Sequence, residues 1–495
     1  MFSFARILTV ALGGSLAGCA LLTDPAQETP RAEAVALPEQ FGTSEAASAD
    51  ESSAELELWW RHFESEPLIA LVEESLVHNR QLGAAAQRVY RAAAQARIDG
   101  ALDVPQVSAG FNGSRGRTNF IGLPFAGAPA VLSNTVNNLG VSLNVSWEID
   151  LWGRLAALDD AAQADLAASA QDLRSAAESV AAQTAKAWFG LIEARQQLAL
   201  AVATVKSRET ALASARNRFE AGLISSVDLR LAESDTAATK ALVELRRQAL
   251  DAAKRQLETL LGRYPAGALE AADELPALSP LPAVAAPAIL LARRPDLAAL
   301  EARLRASDAR LASAEASLYP TLSLTGSTGT SSNELGDLVD GDFRVWSIGG
   351  NLLQPLFTGG QLRARVDLAD AAARETAETF ADAVLRACAE VELSLYAESL
   401  LAAREAHLRT AAIAAQAAEE QSFERYRNGL EALVTLLTAQ RLTLQAQSEL
   451  LTAQRARLDN RVDLYLALGG GLPAGDAESG ADATEVPAEL KTNAH

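Results

Sequence analysis

Apolar and polar positions alternate along this chain with two different periods. Leu155, Leu158, Ala162, Leu166, Ala170, Leu173, Ala177 and Val180 follow one another at intervals of three or four. That spacing holds one narrow stripe on one face of a helix. The pattern predicts a helix over about 155–219, a rod of roughly 95 Å. Three of these eight positions are alanine, which lets helices approach closely but buries little area per residue, so the rod needs partners along its length. A simple coiled-coil hairpin has the same period and stays open on spacing alone. In Val141-Ser-Leu-Asn-Val-Ser-Trp-Glu-Ile149 every odd residue is apolar and every even one polar, a strand with one wet face and one apolar face. Val107, Ala109 and Phe111 alternate in the same way, as do Leu322 and Leu324, and then Trp346, Ile348 and Leu352. A strand of about nine residues is long enough to cross a bilayer when tilted. Four such strands do not close a barrel, and open edges are not tolerated in lipid, so several copies must share one barrel. Two soluble hairpins packed on a core are the alternative that the pattern leaves open.

The two periods recur in the same order. Gly153 and Gly360, Gly222 and Gly429, and Gly262 and Gly469 each lie 207 positions apart. Around them Arg218-Phe answers Arg425-Tyr, and Leu261-Gly answers Leu468-Gly. A period this long marks a duplicated unit, not a solenoid repeat. Each unit reads as a helix (about 67–100, and 294–318), two strands joined by a long loop, a very long helix (155–219, and 361–427), a Gly turn and a returning helix (226–261, and 433–467). The expected organisation is 1–18 signal peptide, 19–66 lipidated arm, 67–265 first unit, 266–293 linker, 294–472 second unit and 473–495 disordered acidic tail. The arm over 20–55 reads as flexible from its Ala, Glu, Pro and Ser content. Loops 112–138 and 327–342 are expected to face outside the cell.

Composition narrows the choice. The chain has 495 residues and a net charge of −20, which argues against nucleic acid as a partner. Its opening, MFSFARILTVALGGSLAGCALL, has Arg6 and then an apolar run too short to span, which makes a secretory signal. Leu16-Ala-Gly-Cys19 resembles the bacterial lipobox, in which the Cys becomes the acylated first residue. The Ala at position 20, instead of Asp, favours the outer membrane by resemblance to known sorting rules. Cys19 and Cys388 are the only cysteines, so no disulfide framework is in play. The four histidines are scattered and show no metal-ligand spacing. No Gly-rich phosphate loop carries a Lys; Gly469-Gly-Gly471 follows a helix and reads as its stop. No cofactor and no enzyme activity are expected.

Several stretches together resemble the outer membrane factor family, the TolC-like channels, and its NodT-type lipoprotein branch. They are the lipobox, Trp147-Glu-Ile-Asp-Leu-Trp-Gly-Arg-Leu155, Phe219-Glu-Ala-Gly-Leu-Ile-Ser-Ser-Val-Asp228, Arg294-Pro-Asp-Leu297, Tyr319-Pro-Thr-Leu-Ser-Leu-Thr325, Leu353-Gln-Pro-Leu-Phe-Thr-Gly-Gly-Gln-Leu362 and Leu466-Ala-Leu-Gly-Gly-Gly-Leu472. The resemblance implies an α+β fold, mainly long helical hairpins in a periplasmic helical barrel, with four transmembrane strands per chain in a twelve-stranded barrel of a homotrimer. It implies the outer-membrane duct of a tripartite efflux system that expels small molecules, served by a periplasmic adaptor and an inner-membrane transporter and bedded in outer-membrane lipid. A type I protein-secretion channel, or a coiled-coil periplasmic scaffold lipoprotein, are the competing readings; alternating strands have no use in a scaffold.

By the same resemblance the two Gly turns, at Gly222 and Gly429, are periplasmic tips where the tunnel narrows. Asp228 is implied to bond Tyr426 between neighbouring hairpins and hold a gate, with Phe219 also at the tip. Where some relatives place Arg after the second turn this chain has Glu431, and where some carry acidic rings it has Thr435 and Thr438. Val434 supplies an apolar constriction in this reading, and Arg441 matches a basic residue of the efflux branch.

Overall fold

The computed structural model describes residues 41, 57–120, 132–282, 287 and 293–471. The signal segment, Cys19, most of the arm, the tip of the first strand hairpin, part of the linker and the acidic tail lie outside the described residues. The elements are α1 (Glu66–His78), α2 (Arg80–Gly100), β1 (Gln106–Phe120), β2 (Leu132–Ile149), α3 (Arg154–Glu220), α4 (Ser226–Leu260), α5 (Pro295–Ala316), β3 (Thr321–Ser332), β4 (Arg344–Leu353), α6 (Gln361–Arg427) and α7 (Leu433–Ala467).

α3 and α6 each have 67 residues, and α4 and α7 each have 35. At about 1.5 Å per residue the long helices span roughly 100 Å. Of the stripe on α3, Leu155, Ala162, Ala177 and Val180 are buried and the rest half-buried, against different neighbours along the rod. α3 packs on α2 and α5 in its first half and on α4 and α7 further along, while α6 packs on α5 and then on α7. Each half of the molecule is therefore a row of helices, ending in α2 or α4 on one side and in α6 on the other.

The four strands form one antiparallel sheet in the order β1-β2-β3-β4. Each strand joins a helix within a few residues: α2 runs into β1, β2 into α3, α5 into β3 and β4 into α6. The strands run further than their clean alternation. β1 has 15 residues and β2 has 18, so 112–120 and 132–138 are strand and not loop. β3 continues to Ser332, and only 333–343 connects it to β4. The outer portions are rich in Ser, Thr, Asn, Gly and Arg, so they carry no apolar signal although their backbone pairs fully.

Two further expectations change. The single helix over 67–100 is broken at Asn79, whose backbone is extended (φ −63°, ψ 126°). Its Oδ1 accepts from the amides of Gln81 (2.9 Å) and Leu82 (3.1 Å), capping α2, while its Nδ2 donates to the Leu260 carbonyl (2.8 Å). The arm also stops before residue 66. Trp59, Trp60 and Phe63 are buried in the main core, with Trp59 stacked on Tyr465 at 5.8 Å and Phe63 against Phe189 at 5.2 Å. Glu57 pairs in parallel with Gly471, and the amide of Leu58 donates to the Gly471 carbonyl at 2.8 Å.

After α4 the chain over 266–282 has no regular structure but is strapped to the body. Arg195 holds the Ala271 carbonyl and pairs with Asp273, and Arg461 donates to the carbonyls of Ser279 (2.6 Å) and Pro280 (3.0 Å).

Beside this core lies Glu178, buried so tightly that a Cβ on Gly471 would stand 2.5 Å from its Cγ. Burial pushes its carboxyl up to about 7, with Arg174 pulling the other way. The folded state thus binds this proton more tightly than the unfolded chain, so the contribution is fully present below pH 4.5 and is lost as pH rises towards 7. Glu178→Gln is expected to stabilise the fold by about 3 kcal/mol above pH 7 and to change nothing below pH 4.5. Thermal unfolding of both proteins across that range checks it; an equal offset at every pH would refute it.

Candidate functional site

The two helix turns far from the sheet are built alike. Gly222 and Gly429 have φ of +71° and +74°, a conformation that costs a side chain energy and glycine nothing. In each turn the Gly amide donates three residues back and the following Leu amide five residues back: Gly222 to Phe219 (2.9 Å), Leu223 to Arg218 (2.8 Å), Gly429 to Tyr426 (3.0 Å) and Leu430 to Arg425 (2.9 Å). This is the Schellman closure, which satisfies carbonyls left over at a helix end. The repeated Arg-aromatic-x-x-Gly-Leu text is the sequence of that closure.

The starts of the returning helices differ. Ser225 and Asp228 form a capping box: the Ser225 amide (3.1 Å) and hydroxyl (2.7 Å) donate to Oδ2 of Asp228, and the Asp228 amide donates to Oγ of Ser225 (3.2 Å). At the matching start of α7 the cap position is Ala432, which offers no side-chain acceptor. There Arg425 donates to Glu431 at 2.9 Å across the turn and holds that carboxyl below its usual range.

The tips are joined through Tyr426, 1% exposed and packed with Ala211, Ala215, Ala232, Leu433 and Leu436 from all four long helices. Arg218 reaches across from the first tip. It donates to the Tyr426 carbonyl at 2.6 Å, and its guanidinium stands 4.8 Å over the Tyr426 ring. Burial pushes the Tyr426 phenol up, against the pull of Arg218. Within the chain the expected bond from Tyr426 to Asp228 is not formed: the Tyr426 hydroxyl has no hydrogen bond of good geometry among the described residues, and the side-chain contacts of Asp228 are to Ser225. Phe219, Val434, Thr435, Thr438 and Arg441 are all exposed around these tips. Arg218 is the residue that sequence reasoning missed; its duplication as Arg425 was the available signal. A polar layer ties the hairpins higher up. Arg208 pairs with Asp235, Ser207 donates to Glu419 (2.9 Å) and Gln440 donates to Ser207 (2.8 Å).

The sheet sorts its residues by face. Val107, Ala109 and Phe111 lie opposite Val145, Leu143 and Val141, and the same face continues through Leu322 and Leu324 to Leu352, Ile348 and Trp346. The other face carries Ser108, Asn112, Ser142, Asn144, Ser327 and Ser347. The apolar residues named on β1 and β4 are all exposed. No helix among the described residues is long and apolar enough to cross a membrane. Such a sheet, running directly into helical hairpins about 100 Å long, defines a section of the wall of an outer-membrane channel.

The family model for outer membrane efflux proteins matches residues 71–263 and 286–470. The chain belongs to the outer membrane efflux protein family, and its place is the outer membrane. The pyoverdine export outer membrane protein OpmQ of Pseudomonas aeruginosa is 32% identical over 463 residues, 92% of this chain and 96% of that protein. The toluene efflux pump outer membrane protein TtgF of Pseudomonas putida is 30% identical over 472 residues, 94% of this chain and 96% of that one. The solved outer-membrane channel OprN superposes with a TM-score of 0.78 at 27% identity, covering 88% of this chain and 98% of that one.

Proposed function

We propose that three copies of this chain close into one duct that carries small molecules from a periplasmic adaptor and an inner-membrane transporter to the outside. The observation that carries this reading is the sheet itself: its apolar face is continuous, while β1 and β4 each have a neighbour on one side only. Unpaired backbone in lipid costs several kcal/mol per group, so both edges need strands from further copies. The ends of the helix rows, α2 or α4 and α6, continue the same seam below the membrane. Cys19 would carry the lipid that adds a second hold on the membrane. No reacting group is assigned; the chain acts as a passage. Its relatives' names tie them to pyoverdine and toluene, which supports small molecules as cargo here.

The tips are read as the constriction. Tyr426 and Arg218 lock one hairpin to the other, Asp228 fixes the first tip through its capping box, and Val434, Thr435 and Thr438 line the approach with Glu431 and Arg441. Purified protein should run as a heat-modifiable trimer and conduct in planar bilayers. Arg218→Ala and Tyr426→Ala should each raise single-channel conductance several-fold with the trimer intact. Unchanged conductance in both variants would remove the tips from the gate, and a non-conducting monomer would remove the duct.

A further inference from the structure

The apolar face of the sheet does not stay apolar to its outer end. On β1 the residues sharing a face with Val107, Ala109 and Phe111 are next Gly113, then Arg115 and Arg117. On β4 the residue sharing a face with Leu352, Ile348 and Trp346 is Arg344, at the outermost position of the strand. All three arginines are exposed. None has a carboxylate partner among the described residues; Arg117 donates to the Ser133 hydroxyl at 2.7 Å. Of the four acids between β3 and β4, Asp337 accepts from Ser332 and Asp340 accepts from the Asp342 amide at 3.1 Å, and neither Glu334 nor Asp342 forms an ion pair with Arg344. The hairpin segment 121–131 contains no Asp or Glu. Unpaired cations here are notable in a chain of net charge −20.

Register brings these residues to one seam. The row Phe111–Val141–Thr330–Arg344 runs straight across the sheet. Phe111 stands five residues in from the inner end of β1 at Gln106, whereas Arg344 stands nine in from the inner end of β4 at Leu353. The row thus climbs towards the outside, as tilted barrel strands require. Continued onto β1 of the next copy, it arrives about ten to eleven residues in, at the level of that copy's Arg115 and Arg117. Parity keeps all three on the lipid side.

From this we infer that each subunit seam carries a three-arginine site for the phosphate groups of a lipid headgroup in the outer leaflet. The inference rests on the trimer reading. Like charges this close repel unless an anion bridges them, and guanidinium forks bind phosphate oxygens bidentately. The apolar rows below, ending at Phe111 and Trp346, fix the depth at which acyl chains stop and headgroups begin. Charges on a lipid face cost little only near that boundary.

The test uses the full-length trimer in nanodiscs containing bisphosphorylated lipid A, its dephosphorylated form, or neither with inorganic phosphate added. Native mass spectrometry reads retained lipid, and heat dissociation reads trimer strength. The wild type should retain the bisphosphorylated lipid and dissociate at higher temperature with it. R115Q/R117Q, R344Q and the triple variant should each lose about tenfold in retention, a difference of about 1.4 kcal/mol, while planar-bilayer conductance shows the barrel intact. Equal retention by the triple variant, or equal retention of the dephosphorylated lipid, overturns the site. The same thermal shift from inorganic phosphate overturns the lipid assignment. A wild type that is not a trimer overturns the duct reading instead, which the gel and conductance report separately.

Discussion

Glu398→Ala is expected to destabilise the central body by about 3–5 kcal/mol, because it strands a buried cation. Glu398 lies on α6 and is 5% exposed. It accepts from Arg461 (3.0 Å) and Arg457 (3.1 Å), both on α7, and the amide of Asn460 also donates to it at 3.4 Å. Arg461 is itself only 2% exposed and holds the strap through Ser279 and Pro280. Without Glu398 its charge has no counterion in a dry site, so the penalty exceeds the worth of the pair. Glu398→Gln keeps an acceptor but not the charge and should cost less. Arg457 also has Glu405 at 3.1 Å, so Arg457→Ala should cost least of the three. Denaturant or thermal unfolding ranks them. Equal losses in all three would mean that the strap, not the buried charge, sets the energy. A loss below 1 kcal/mol for Glu398→Ala would sink the argument altogether.

The second large effect separates the two faces of the sheet. Ile348 and Ser347 are neighbours on β4, both exposed, halfway along the strand. Ile348 lies opposite Gly326 on the apolar face, and Ser347 lies opposite Ser327 on the polar one. Ile348→Arg puts a charge in mid-bilayer at about 2–4 kcal/mol per copy, repeated at each subunit of the trimer. Trimer in the outer membrane should fall to a small fraction of wild type. Ser347→Arg puts the same charge in the water-filled interior. Its trimer should form normally and conduct less. Outer-membrane fractionation and single-channel recording check the pair, and a reversed outcome would exchange lumen and lipid.

Much of this architecture was legible in the sequence because the forces that set it are local or periodic. Gly at 222 and 429 marks a positive φ, and a helix that long has one stripe. The strand cores between Val107 and Phe111 and between Val141 and Ile149 alternate because one face meets apolar surroundings. Legibility ended where two surroundings became alike. Beyond Phe111 both faces carry polar or small residues, so backbone pairing continued unseen as far as Phe120. The break at Asn79 was hidden because Arg80-Gln-Leu after it are good helix formers; only the tertiary bond to Leu260 shows why the chain turns there. Trp59 and Trp60 sat at the end of a polar arm, and nothing local says that Tyr465, some four hundred residues later, stacks on the first of them. At the tips, Gly222, Gly429 and Tyr426 were found through the repeat. The contact of Arg218 with Tyr426 went unread because it satisfies no local rule: it acts over a distance that only the side-by-side hairpins create.

The inequality of the two helix starts has a mechanical reading. Ser225 and Asp228 clasp one start, and Ala432 gives the other no side-chain cap, a difference of about 1 kcal/mol in favour of the first. A ring of three subunits would then alternate stiff fingers with soft ones. Such a ring works like a three-jaw chuck, not like a six-leaf iris: three anchored jaws hold the bore while the three between them yield first.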